Sequence, residues 1–137
     1  MSGAPDTEMM ALATRLERFI ATSDAALLDG LFARTVTIIE NFAPHIFHDA
    51  ATWRDAMREH VQALSDLQFA FGAHQNFHVT GERAYFDLPI TWTGKVHGKR
   101  FEELGGSAFV LQREDGPWRI AGYAWSVIQM RYSDGET

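Results

Sequence analysis

Cysteine is absent from all 137 positions, which removes disulfides, thiolate metal sites and cysteine nucleophiles together. Long apolar runs are missing too. Nowhere do about 18 apolar residues follow one another, the length a membrane helix needs, so no membrane partner is expected. The opening "MSGAPDTEMM" has no basic segment followed by an apolar core. No secretory signal is read there, and a cytoplasmic protein is the expectation. Basic clusters are lacking as well: 12 Lys and Arg are scattered among 18 Asp and Glu, for a net charge of −6. That balance disfavours a phosphate-tracking surface, and with it nucleic acid. There is no glycine-rich phosphate loop; "ELGGSAF" sets Gly105 and Gly106 in a strand pattern, where they read as a bulge or kink that lets a sheet curve. Serines and threonines are not arranged with His and Asp in a recognisable nucleophile motif, so covalent hydrolysis is unsupported.

What remains is an ordinary globular composition with generous aromatics. A chain of 137 residues removes roughly 68% of its unfolded surface from water, enough for one core. One domain over 1–137 is expected, with 1–6 and 133–137 as flexible tails. Asp6 or Thr7 can cap a first helix over 7–22, on which Met9, Leu12, Leu16, Phe19 and Ile20 recur at helical spacing. "TSD" at 22–24 caps a short second helix carrying Leu27, Leu28, Leu31 and Phe32. Residues 35–42 read as a strand closed by Pro44. Asp49 caps a third helix with Trp53, Met57, His60, Val61 and Leu64 on one face. From residue 67 the period changes to two, giving four long strands over 67–80, 83–96, 99–114 and 117–132, joined by "GE", "HG" and "DG" turns. Three helices and a long antiparallel sheet make an α+β domain whose helices bury their apolar faces on one side of the sheet.

Six histidines raise the question of a metal. His45 and His48, with Asp49 adjoining, lie in a loop after a proline. His74 and His78 stand four apart in the strand pattern, roughly 13 Å along it, too far for one ion. No metal site is expected. His45 or His48 is a candidate lid residue over a cavity mouth.

The run "TVTIIENFAP" places Glu40 and Asn41 directly after Ile38 and Ile39. A carboxylate at the end of a buried strand either points into a dry hollow, pairs with an arginine such as Arg34 or Arg83, or meets solvent. In a dry hollow its charged form is disfavoured and its pKa rises toward neutrality. Strand alternation puts Phe86, Leu88, Ile90 and Trp92 on one face, read as inward, and Tyr85, Asp87, Pro89 and Thr91 on the other.

With helix, helix, short strand, helix and four strands in that order, and with "LFARTVTIIENFAP", "YFDLPITWTGKVHGKRFEE" and "WRIAGYAWSV" at the corresponding places, the chain resembles the nuclear transport factor 2-like superfamily. That cone-shaped superfamily includes ketosteroid isomerases and SnoaL-like polyketide cyclases. The resemblance implies three N-terminal helices packed on a strongly curved, mostly antiparallel sheet. It implies Glu40 at or next to the proton-shuttling carboxylate of the isomerases. It also implies inward positions for Ala121, Tyr123 and Trp125, and sets Ala108 where those isomerases carry a protonated aspartate. Their first-helix tyrosine has no counterpart here, where Leu16 and Phe19 stand. The resulting expectation is an apolar pocket with Glu40, Tyr123 and His60 as catalytic candidates. Trp53, Met57, Phe86, Leu88, Ile90, Trp92, Ala108 and Trp125 are its ligand-binding walls. No cofactor is implied. The partners expected are a small apolar molecule and a second copy of the chain, through an outer sheet face bearing Phe109, Leu111, Tyr85, Pro89 and Ile120. Two functions fit: a cofactor-free isomerase, dehydratase or cyclase acting on a hydrophobic carbonyl compound, or a non-catalytic ligand-binding or dimerisation module.

Overall fold

A computed structural model of the chain describes residues 3–133. Of the expected tails, residues 1–2 and 134–137 lie outside the described residues. The first helix, α1 (Thr7–Thr22), begins where Asp6 accepts a hydrogen bond from the Met9 amide at 2.9 Å. Its apolar stripe, Met9, Leu12, Ala13, Leu16, Phe19 and Ile20, is buried. The second expected helix is only a 3-10 turn, Ala25–Leu28, so the described residues form two α-helices rather than three. Gly30, at φ 70°, ends it. The chain then turns straight into β1 (Phe32–Ile39), because Leu31 and Phe32 are drawn into pairing with the last strand rather than into a helix turn. A two-residue β2 (Ile46–Phe47) follows. Then comes α2 (Ala50–His60), capped by the Asp49 carboxylate on the Ala51 and Thr52 amides.

The expected strand over 67–80 is two strands, β3 (Leu64–Phe71) and β4 (Phe77–Thr80), both paired to the same edge of β5 (Arg83–Val96). The gap falls opposite Asp87 to Pro89. Pro89 has no N–H to offer the ladder, and Asp87 turns its carboxylate onto the amide and side chain of Asn76. β6 (Lys99–Arg113) and β7 (Trp118–Tyr132) complete a seven-stranded sheet in the order β2, β1, β7, β6, β5, β3. All pairs are antiparallel except β1 with β7. The β6–β7 register shifts twice, between Val110 and Leu111 and between Leu104 and Gly105, and such bulges bend a sheet around whatever its inner face holds.

The register aligns the inner face in rungs: Phe86, Phe109 and Tyr123; Leu88, Ser107 and Trp125; Trp92, Glu103 and Met130; Gly94, Phe101 and Tyr132. Phe86 and Phe109 stack at 5.1 Å, and with Leu88, Ile90, Leu111 and Ile120 they fill one end of the sheet. Phe109, Leu111 and Ile120 are therefore core, not the outer patch expected of them. Truncating one such aromatic to alanine costs about 3–5 kcal/mol. The wall expected from Phe86, Leu88 and Ile90 is likewise solid core; of that set only Trp92 reaches open space. Ala108, one residue out of phase with Ser107 and Phe109, faces outward. A slip of one residue moves a strand's whole inward set to the other face, and the expected phase of β6 was off by that one residue.

Candidate active site

The sheet's other end encloses a cavity of about 270 Å³. Glu40, Met57, His60, Trp92, Tyr123 and Trp125 line it as expected from sequence, joined by Asn41, Phe42, Phe101, Glu103, Met130 and Tyr132.

Glu40 follows the last residue of β1, where its amide donates to the His45 carbonyl at 2.9 Å and closes the turn to β2. Only 3% of the residue is exposed. Its Oε2 accepts a 2.7 Å hydrogen bond from the Trp53 indole, while Oε1 has no partner among the described residues. It forms no ion pair with Arg34 or Arg83. Burial pushes the carboxyl pKa up to about 7, against the opposing effect of the Trp53 hydrogen bond and with a small push from the negative charge of Glu103. Trp53 is fully buried and lies behind the cavity wall; its part is to hold Glu40.

Beneath Glu40 lies a residue the sequence reading passed over. Glu17, on α1, is 0% exposed, and its Oε2 accepts from the Tyr123 hydroxyl at 3.3 Å while Oε1 is unpartnered. Burial first, then the charge of Glu40, raises its pKa well above the ordinary carboxylate value, against the opposing effect of the Tyr123 hydrogen bond. Tyr123 is raised well above the ordinary phenol value by burial and the two carboxylates, and stays protonated. Helical spacing carried the signal: Glu17 stands four residues after Ala13 and three before Ile20, inside the buried stripe. Ser107, inward on β6 where Ala108 was expected, is also buried with an unpartnered hydroxyl.

Glu103 sits between Trp92 and Met130 on the inner face, half-buried, and burial raises its carboxyl pKa. It was missed because β6 was phased one residue out. His60 is exposed at the rim with its ring stacked at 4.0 Å on Phe42; loss of water on the covered side lowers its pKa. His45 sets Nδ1 against the Glu40 carbonyl at 3.2 Å and does not line the cavity, nor does His48. Among the described residues no three His, Asp or Glu are grouped to hold a metal ion.

Residues 9–130 match the family model described as SnoaL-like domain. The chain belongs to the SnoaL-like family. No curated protein matches its sequence. Among solved structures, the SnoaL-like chain is similar to a hexachlorocyclohexane dehydrochlorinase from Novosphingobium barchaimii, with TM-score 0.84 at 9% identity, over 93% of this chain and 89% of that one. A putative ketosteroid isomerase from Shewanella frigidimarina superposes with TM-score 0.71 at 18% identity, over 88% and 96%. A nuclear transport factor 2-like protein from Salmonella enterica gives 0.73 at 16%, over 92% of each. Identities this low show the shared fold, which is the nuclear transport factor 2-like cone. No helix among the described residues is long and apolar enough to cross a membrane.

Proposed function

We propose that this SnoaL-like domain is a cofactor-free enzyme that moves a proton on a hydrophobic carbonyl compound, with Glu40 as the base. One observation carries the reading: a carboxylate 3% exposed, one oxygen tied to Trp53 Nε1 and the other without a protein partner, at a cavity wall. A pKa of about 7 lets such a group both take and return a proton near neutral pH. In the step, Glu40 Oε1 takes a proton from a carbon beside the carbonyl, and the electron pair moves to the carbonyl oxygen. The proton then returns to another carbon, or a leaving group departs from the adjacent carbon. Tyr123, protonated and hydrogen-bonded to Glu17, supplies a hydroxyl to the developing oxyanion, and His60 stands at the mouth as a second donor. Two of the fold neighbours are named as a dehydrochlorinase and a putative ketosteroid isomerase, and proton removal from carbon can serve reactions of both kinds.

The test is a screen of ring ketones, enones and β-substituted ketones with wild type and Glu40→Gln. Turnover that falls by at least about a hundredfold in the variant, the usual size of a general-base contribution, supports the reading; equal turnover overturns it. One observation favours a second reading. The Tyr123 hydroxyl points to Glu17 rather than standing free, which suits a domain that holds a ligand without transforming it. That reading predicts ligand binding retained in Glu40→Gln and no turnover in either protein.

The outer face of the sheet supports assembly into a homodimer. Its central rungs carry small residues, Ala108 beside Ala124 and Val110 beside Gly122, with the exposed Ile39 next to Ala124 and with Asp87 and Thr37 as polar neighbours, a flat face that a second copy can approach closely.

A further inference from the structure

Two carboxylates face this cavity, and no lysine or arginine among the described residues lines it. The Glu103 carboxylate makes no hydrogen bond or ion pair with any described residue, and burial alone shifts it. Glu40 leaves Oε1 unpartnered at 3% exposure. Around Glu103 the walls are aromatic and sulfur-bearing. Trp92 and Met130 stand beside it on the neighbouring strands, and Phe101 and Tyr132 form the next rung. On the other side the Trp125 ring leans over Gly105, so close that a Cβ there would come within 2.3 Å of it.

We propose, building on the reading of the cavity as a substrate site with Glu40 as its base, that the hydrophobic carbonyl compound it takes also carries an amine, held as its ammonium cation against Glu103 and the surrounding aromatic side chains. The reason is the sign of the interaction. A neutral ligand entering the cavity displaces water from Glu103 and Glu40 without offering either a counter-charge, so it makes their desolvation worse. An ammonium reverses this: it donates charge-assisted hydrogen bonds to Glu103, and its positive charge is attracted to the faces of Trp92, Trp125 and Tyr132. A metal ion is a poor fit, because the walls offer carbon faces rather than a set of oxygen and nitrogen ligands. The net charge of −6 adds a long-range pull of the same sign. With the ammonium at Glu103, the apolar remainder of the molecule extends toward Tyr123 and Glu40, where the proton chemistry is read.

The experiment compares two probes of nearly equal size, phenethylammonium and 2-phenylethanol, by quenching of tryptophan fluorescence at neutral pH and low salt. Carboxyl-carbon NMR titration of Glu103 is run with each. The proposal expects phenethylammonium to bind about tenfold or more tightly than the alcohol, since a hydrogen bond to a charged carboxylate is stronger when the donor also carries charge. It expects added salt and Glu103→Gln to erase most of that preference. In wild type the ammonium lowers the Glu103 pKa while the alcohol raises it, a readout that needs no variant. Equal binding of the two probes, or a preference that survives Glu103→Gln, overturns the amine assignment and leaves the cavity a small-molecule site. Binding of neither probe overturns the assignment together with the reading of the cavity. An ammonium preference that persists while Glu40→Gln leaves turnover unchanged supports the amine and overturns the role of Glu40 alone.

Discussion

The Trp53 indole nitrogen donates to Glu40 Oε2 across 2.7 Å, so a residue of α2 fixes one oxygen of a carboxylate at the end of β1 and leaves the other to the cavity. Neither side chain has a second polar partner among the described residues, so the pair sets the direction of the carboxylate and offsets part of the rise in proton affinity that burial causes.

Removing that donor raises the proton affinity. In Trp53→Phe the ring still fills the site, but the charged form of Glu40 loses its hydrogen bond, and the pKa rises further above its wild-type value of about 7. Carboxyl-carbon NMR titration, assigned with Glu40→Gln, checks it. An unchanged midpoint would mean that the indole does not hold the carboxylate in solution.

Stability follows the same carboxyl with pH. The folded-state pKa of Glu40 is about 7 and the ordinary value 4.5, so the folded protein binds the extra proton between them. Stability is full below pH 4.5, falls as the pH rises toward 7, and is then flat as far as this group is concerned. The integrated loss is about 3 kcal/mol. Glu40→Gln keeps an acceptor for Trp53 and lacks the loss. Urea unfolding at several pH values should show the variant gaining on wild type across that window and matching it near pH 4.

Tyr123→Phe tests the buried pair beneath the cavity. Without the hydroxyl, both oxygens of Glu17 are unpartnered in the core, which costs about 1–3 kcal/mol. It also raises the Glu17 pKa further, since the lost hydrogen bond favoured the charged form. Glu17→Gln in the same background should return part of the stability, as measured by denaturant midpoint.

Gly105 is tied to the placement of Trp125. A Cβ at residue 105 would lie 2.3 Å from both the Trp125 ring and the Ser126 carbonyl oxygen. Ring rotation relieves the first and not the second, because the second is backbone. Gly105→Ala should cost about 1–3 kcal/mol and weaken ligand quenching of tryptophan fluorescence, whereas Gly106→Ala, with nothing nearer than 4.0 Å, should cost far less.

Assembly is tested on the outer face. Ile39→Arg and Val110→Asp place charges on exposed positions of that face, away from the core. A dimer in wild type and a monomer in the double variant, by sedimentation, with unchanged secondary structure, supports that face as the interface. A monomeric wild type removes it.

By itself the sequence determined the parts whose cause is local. Both helix starts follow from Asp6 and Asp49 as caps, β5 from strict alternation, the hairpin turns from "HG" and "DG", and the singular placement of Glu40 from one charge after an apolar strand. Each depends on residues within a few positions of one another. The tertiary structure decided what depends on distant partners. Pairing with β7 claimed Phe32 for a strand instead of a helix, and Pro89 split β3 from β4. The phase of β6 was settled only by its neighbours in the sheet, which turned Glu103 and Ser107 inward and Ala108 out. Glu17 was on the apolar stripe of α1 from the start. What ties it to the site is the Tyr123 hydroxyl, 106 residues further along the chain, and no local pattern reports a contact of that length.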